Sequence, residues 1–189
     1  MASIEPVCEQ TNYLSYTIDV AGTIVAVSGG WDDFARGNDG EAIVSKKIVG
    51  KKLDQFIHGD ETLMFVRTMI LSARVLQRPI YRPYRCDSPS LKRFMEMTVQ
   101  PRPEGDVEVI HRELRCEPIA SKIPVAAEST AGYAPYVKRC SLCNRIRAQG
   151  VWSEIDEAAQ AKRLPADVAP LKVIYGVCPD CLVNRGVAL

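Results

Sequence analysis

The sequence lacks the features that would direct the chain into or across a membrane. The first ten residues carry Glu5 and Glu9 and have no apolar core, so they do not resemble a secretory signal. No apolar run approaches the roughly 18 residues that a membrane-spanning helix needs. We therefore expect a cytoplasmic protein without a membrane partner. In such a reducing compartment, paired cysteines more often serve metal or redox chemistry than structural disulfides.

Charge of one sign, histidine and catalytic motifs are also scarce. The 24 Lys and Arg residues balance 23 Asp and Glu residues, and a net charge of +1 argues against general binding of nucleic acid. No Ser-His-Asp arrangement, P-loop, His-Glu-x-x-His motif or kinase machinery occurs, and the only histidines are His58 and His111. We therefore expect a protein that is not an enzyme.

Cysteine, in contrast, is conspicuous: the chain has seven, an odd number. Three are scattered in the first two thirds of the chain and four form two tight pairs near its end. The stretch between the two groups, 121–137, is rich in Ala, Ser and Pro and poor in charge, which is typical of a linker. We predict four segments: an N-terminal extension at 1–13, a body at 14–120, a linker at 121–137 and a cysteine module at 138–185.

The body alternates strand and helix signals. Its predicted elements are strands at 14–20 and 23–28, short helices at 31–36 and 48–57, a long helix from Asp60 that Pro79 ends, and strands at 80–87, 91–100 and 107–118. Turn-forming residues separate the last three strands. This order predicts an α+β fold, with one antiparallel five-stranded sheet and helices packed on one face.

The segments YTIDVAGTIVAVSGGWDDFA and IVGKKLDQFIHGDE, followed by a long helix and three strands, resemble a PAS sensor domain. The resemblance covers roughly 14–119. It includes the turn at Asp19–Ile24, the aromatic pair Trp31 and Phe34, and the Ile-His-Gly-Asp entry to the long helix. The Pro that is usual at the position of Gly59 is missing. The resemblance implies a domain that senses small molecules, redox state or light, or that dimerises and relays a signal to a protein partner.

The same resemblance argues against two common PAS cofactors. Haem-binding PAS domains generally take their axial histidine from the long helix, and 60–77 contains none. PAS domains that form a flavin photoadduct need a cysteine on the short helix around 48–57, and none is there. We therefore expect neither haem nor flavin in the PAS-like body, and the sequence does not identify its ligand.

The two pairs after the linker are Cys140-Ser-Leu-Cys143 and Cys178-Pro-Asp-Cys181, with 34 residues between them. Four thiolates form a closed tetrahedral shell for Zn²⁺. A module of about 48 residues is also close to the size at which an apolar core alone is marginal. We therefore predict a structural zinc site, although an iron–sulfur centre has compatible ligands. The alternative from a different class is a thiol-based redox enzyme or switch that uses one Cys-x-x-Cys pair.

The module also resembles a cysteine-rich tail that follows PAS or receiver domains in bacterial signalling proteins. The shared features are an Ile-Arg pair at Ile146, a Gly-x-Trp at Gly150, an acidic helix, and a Gly-x-Cys-Pro-x-Cys that begins at Gly176. Between the pairs we predict a short helix from Trp152, with Ser153 and Asp156 as a capping box, and a strand at 171–175. The resemblance implies a bacterial signal-sensing or relay protein, which we expect to be a homodimer through its PAS-like body.

Three smaller features allow more than one interpretation. One is a charged group formed by Arg85, Asp87 and Arg93. It indicates either an ion network that closes a hairpin or a patch that recognises an anion or a partner. Basic residues around the first cysteine pair could contact nucleic-acid phosphates, but acidic residues follow almost at once. In a PAS-like sheet, Cys86 and Cys116 would lie on strands two spacings apart, beyond the reach of a disulfide, and we expect both to be half-buried thiols.

Overall fold

The computed structural model describes residues 13–38, 40–87, 91–119, 125–126, 136–164 and 171–183. These residues form two five-stranded sheets, one in the predicted body and one that contains the cysteine module. Among the described residues, no helix is both long enough and apolar enough to cross a membrane.

The first sheet is antiparallel throughout, with the strand order β2-β1-β5-β4-β3. Its strands are β1 (Leu14–Ile18), β2 (Ile24–Val27), β3 (Ile80–Arg85), β4 (Leu91–Pro101) and β5 (Val107–Pro118). Between β2 and β3 the chain forms α1 (Trp31–Gly37), α2 (Ser45–Ile48), a 3-10 turn (Leu53–Phe56) and α3 (Asp60–Leu76). The predicted α+β class, with a five-stranded antiparallel sheet, is confirmed.

The core of this unit lies between the sheet and α3. Alternate strand residues such as Ile18, Val99 and Val107 are almost fully buried, and they pack against Ile70 and Ala73 on the apolar stripe of α3. Each buried aliphatic side chain of this size contributes roughly 1.5–3 kcal/mol. The helices therefore cover one face of the sheet, as the period-two and helical patterns predict.

The turn between β1 and β2 has the conformation that its sequence indicates. The Asp19 carboxylate accepts a hydrogen bond of 2.8 Å from the Thr23 backbone N–H, which lowers the pKa of Asp19. Gly22 has φ +78°, in the left-handed region that favours glycine. This turn fixes the register of the first hairpin.

The second sheet has the order β6-β10-β7-β8-β9. Its strands are β6 (Val125–Ala126), β7 (Tyr136–Cys140), β8 (Ile146–Ala148), β9 (Val151–Ser153) and β10 (Leu171–Gly176), and its helices are α4 (Ile155–Gln160) and α5 (Pro179–Val183). Strand β10 runs parallel to both of its neighbours, whereas the other pairs are antiparallel. The strand predicted at 171–175 is confirmed.

The predicted helix from Trp152 is wrong at its start. Gln149 and Gly150 both have positive φ, the conformation of a tight type I′ hairpin turn, so Trp152 lies in a strand. The capping box is formed by Glu154 and Glu157 rather than by Ser153 and Asp156.

The predicted linker at 121–137 falls largely outside the described residues. The described parts of it, β6 and the first residues of β7, are strands of the second sheet. The domain boundaries at 13, 120 and 138 stay predictions.

Gly59, at the start of α3, marks the point where the two units meet. Its φ of +85° is a conformation that proline, which is fixed near −65°, does not adopt. A Cβ at this position would lie 3.2 Å from the carbonyl oxygen of Tyr175 in β10. The close approach of the second sheet thus explains why the Pro usual in PAS-like chains is missing here.

Candidate metal centre

The first cysteine pair lies in a tight turn between β7 and β8. Cys140 donates its backbone N–H to the carbonyl of Arg145 at 2.8 Å, and Asn144 donates to the carbonyl of Cys140 at 3.0 Å. Asn144 adopts the left-handed conformation that closes this turn. The turn places the Cys143 side chain beside that of Cys140.

The second pair lies where β10 passes into α5. Pro179 begins the helix, a position where its missing N–H costs nothing, and Leu182 donates to the carbonyl of Cys178 at 3.0 Å. Cys178 therefore precedes the helix and Cys181 lies on its first turn.

The four thiols converge on one point. The sulfur atoms of Cys140, Cys143, Cys178 and Cys181 all lie within 4.8 Å of one another. Those of Cys143 and Cys178 are 3.7 Å apart. A tetrahedral Zn–S shell with bonds of about 2.3 Å would place its sulfurs about 3.8 Å apart. The spacing therefore fits a metal ion such as zinc.

The crowding of the sulfurs also shifts the pKa values of Cys140, Cys143 and Cys181. Cys140 has a pKa far below its ordinary value because the thiols of Cys143 and Cys181 donate hydrogen bonds to its sulfur. Donation to Cys140 in turn raises the pKa of Cys143 to about 12 and raises that of Cys181 further. Four sulfurs this close cannot all be thiolates without a positive charge between them, and metal binding releases their protons.

The surroundings of the cluster are apolar and come from both units. Cys140 and Cys178 are completely buried, and Leu142 and Val177 are nearly so. Phe65 of α3, Tyr84 of β3 and Trp152 of β9 pack against this group. The body thus supplies part of the shell that separates the cysteines from water.

Hydrogen bonds from the body also reach the backbone of both cysteine turns. Arg85 in β3 donates its backbone N–H to the carbonyl of Leu142 at 2.6 Å. The guanidinium of Arg82, which is 4% exposed, donates to the carbonyl of Cys181 at 2.5 Å. The Thr62 and Ser141 hydroxyls are 2.6 Å apart. The cysteine module is therefore docked on the edge of the body formed by α3 and β3.

Glu61 forms a second connection at the start of α3. One carboxylate oxygen is 2.7 Å from the Lys138 ammonium, and the other accepts the Val177 N–H at 3.0 Å. These two bonds, that of Lys138 first, lower the pKa of Glu61. A Cβ at Gly176 would overlap the ends of both the Glu61 and Lys138 side chains, so glycine permits this contact.

Arg85 and Asp87 form a nearly buried ion pair at the same junction. Their side chains are 9% and 8% exposed, and Arg85 also binds the Glu154 carboxylate at 2.7 Å. Arg93 lies nearby, and its guanidinium donates to the Asn38 amide oxygen at 2.6 Å. A role of Arg85, Asp87 and Arg93 in recognising an anion or a partner stays a prediction.

The remaining cysteines behave differently from each other. Cys86 is a free, half-buried thiol whose pKa is raised by burial, as expected. The expectation for Cys116 is wrong, because this cysteine is disulfide-bonded.

Comparison with known proteins adds little. No protein-family model and no curated protein matches the chain. A solved structure of a sensory box sensor histidine kinase from Vibrio cholerae is similar over 56% of this chain and 83% of its own, with a TM-score of 0.41 and 12% identity. We draw no conclusion from a TM-score this low.

Proposed function

We propose that the chain is a bacterial, cytoplasmic signal-sensing or relay protein rather than an enzyme. In this proposal the PAS-like body receives the signal, and the four cysteines hold a structural zinc ion. The main support is that the body hydrogen-bonds the backbone of both cysteine turns, through Arg82 and Arg85. A movement of α3 or β3 would therefore change the positions of the two cysteine turns.

Zinc would act here as a cross-link and not as a reagent. When bound, it joins the turn after β7 to the turn before α5 and supplies folding free energy to the module. Cys140, Cys143, Cys178 and Cys181 would be its four ligands, which leaves no open position for a substrate. The signal would then pass through the protein's own residues. A ligand that favours one arrangement of α3 and β3 would change the fraction of molecules in which the module is docked on the body.

The proposed partners are a downstream signalling protein and a second copy of the chain, bound through the PAS-like body. Light scattering after size-exclusion chromatography tests self-association, with a molecular mass twice the 20.9 kDa of one chain as the expected result. Binding to nucleic acid is not part of the proposal. Binding of DNA or RNA whose affinity falls steeply with added salt would contradict this absence of a nucleic-acid partner.

The alternative function, a thiol redox enzyme or switch, is favoured by one observation. The redox pair would be Cys140/Cys143 or Cys178/Cys181. All four cysteines are free and their sulfurs lie within 4.8 Å of one another, so a small movement would allow a disulfide within either pair. In that case the cysteines would be reactive and the cluster would hold no metal.

Native mass spectrometry together with a visible absorption scan and a thiol titration distinguishes these functions. We expect one zinc per chain, no visible absorption, and no reaction of the four clustered thiols until the protein is denatured. Metal-free protein with one rapidly reacting pair would replace the zinc proposal with the redox alternative. Charge-transfer bands in the visible region would assign an iron–sulfur centre instead.

A further inference from the structure

A cleft of about 860 Å³ lies between the body and the cysteine module. Its walls are mostly apolar side chains of α3, β3, β9, α5 and the β10–α5 connection, including Phe65, Met69, Ile80, Trp152, Val177 and Leu182. None of the four clustered cysteines lines it, so it is separate from the metal centre. Its volume lies within the roughly 300–1,000 Å³ of small-molecule sites, which are likewise mostly apolar with a few placed polar groups.

The charged groups of the cleft are mainly positive. Lys138 pairs with Arg147 across β7 and β8, and Arg147 pairs with Trp152 across β8 and β9, so the three side chains form one row on the second sheet. All three line the cleft. Two like charges directly opposite each other on adjacent strands repel and are destabilising unless a counter-charge is present.

The counter-charge within the cleft is insufficient for both cations. Among the described residues that line the cleft, Glu61 is the one carboxylate, and it already binds Lys138 and the Val177 N–H. Arg147 is exposed and forms no ion pair among the described residues. Arg82 adds a third positive charge to the lining. The cleft is therefore complementary to one further negative charge beside Arg147.

We propose that this cleft binds a small amphipathic carboxylate. Its apolar chain or ring would lie between α3 and Trp152, and its carboxylate would be held by Arg147 with the support of Lys138. A guanidinium binds a carboxylate through two parallel hydrogen bonds, which suits Arg147 to this role. Burial of the ligand's apolar chain or ring provides most of the affinity, and Arg147 makes the cleft prefer a ligand that ends in a carboxylate.

Because both units form the walls, an occupied cleft holds the module against the body. An amphipathic carboxylate would be the class of molecule that is sensed under the proposed function. Only the claim that an occupied cleft acts as a signal rests on that function. Binding itself does not require zinc to have any particular role.

The test uses the zinc-loaded full chain and dodecanoate as the probe, below its micelle-forming concentration, with titration calorimetry as the readout. We expect one dodecanoate per chain, and at least tenfold weaker binding of dodecanol, which has the same chain length without the charge. Arg147→Gln should weaken dodecanoate binding about tenfold and leave dodecanol unchanged. Arg112→Gln, which removes an exposed cation paired with Glu96 on the first sheet, is the matched control and should change neither affinity.

A second variant tests the location. Ser72 lines the cleft from α3 and is half-buried, so Ser72→Phe should fill the space and abolish binding of both probes while the fold persists. Equal affinity for dodecanoate and dodecanol, or no effect of Arg147→Gln, would overturn the proposal. A third result would also overturn it: the wild-type protein binds no dodecanoate but forms a dimer, and Ser72→Phe dissociates that dimer. The cleft would then be an interface between two copies of the chain. Zinc content measured on the same samples keeps failure of the cleft distinct from failure of the metal site.

Discussion

The two sheets of this protein are held together by different means. The first has long antiparallel strands, with 11 residues in β4 and 12 in β5, and an apolar core beneath α3. The second has strands as short as two residues, and its core is divided between a small aliphatic group and the cysteine cluster. The comparison indicates that apolar burial can sustain the body, whereas the module has a small divided core. Under the proposed function, the module would depend on its metal ligands and on its contacts with the body.

The largest expected effect comes from removing one metal ligand. Cys178→Ser should unfold the module, because binding of a structural zinc is worth roughly 10–16 kcal/mol in small peptides. Hydrogen exchange should show loss of protection in β7–β10 and retained protection in β4 and β5. Cys86→Ser, which alters a free cysteine outside the cluster, is the control and should leave both sheets protected. A protected module in metal-free Cys178→Ser would mean that the two sheets do not differ in this way.

The next effect concerns the ion pair that joins the two units. Arg85→Ala should lower the free energy of unfolding by about 3–5 kcal/mol, because it leaves the nearly buried carboxylate of Asp87 without its main counter-ion. Urea denaturation measures this change. Arg112→Ala removes an arginine that is 62% exposed and paired with Glu96, so it should cost less than about 1 kcal/mol. Similar losses for the two variants would show that the docking contact is no stronger than a surface pair.

Acid should affect the body through His111, whose Nδ1 is hydrogen-bonded to the Tyr84 hydroxyl at 2.9 Å. Burial lowers the pKa of His111 from 6.5 to about 4. Between these values the unfolded chain binds a proton that the folded chain does not, so the free energy of unfolding falls as the pH decreases from about 6.5 to 4. The loss is on the order of 3 kcal/mol.

Urea denaturation of the body at several pH values between 7 and 4 measures this loss. His111→Asn should flatten the dependence in that window. His58→Gln, at the exposed second histidine, keeps His111 and should retain the wild-type slope. An unchanged slope in His111→Asn would assign the acid sensitivity to other groups.

The smallest expected effect tests the contact between α3 and β10. Gly176→Ala should displace the ends of Lys138 and Glu61 and open their ion pair, whose side chains are 35% and 50% exposed. Exposed pairs contribute about 1 kcal/mol or less, so we expect a loss of that size in urea denaturation, with zinc still bound. A loss of several kcal/mol would indicate that the close approach at Gly176 holds the two units together.

The body and the cysteine cluster were largely predictable because their signals are local. Period-two alternation and turn residues located the five strands of the first sheet, and two Cys-x-x-Cys pairs identified the four clustered thiols. The start of α4 was not predictable from Trp152, because the tight turn at Gln149 and Gly150 overrides the helical spacing.

The contacts between the two units could not be found in the sequence. Tyr84 and Phe65 have the pattern of ordinary core residues, and pattern alone shows that a side chain is buried but not what covers it. Glu61 has the pattern of a charge in the first turn of a helix, yet its carboxylate binds residues 77 and 116 positions away. The acidic run that begins at Glu154 has the pattern of a solvated helix start, although Glu154 binds Arg85.

The parallel pairing of β7 and β10 has a consequence for how the site tolerates change. Gly176 lies opposite Cys140 in this pairing, so the two cysteine turns emerge at the same end of adjacent strands. The number of residues between the pairs is therefore not a constraint on the site, and chain length could be added after α4 without moving a thiol. One residue inserted within β10 would instead turn Cys178 to the opposite face of the sheet. Related chains should vary in the length of the segment between the two cysteine pairs. They should keep the same residues of β7 and β10 opposite each other.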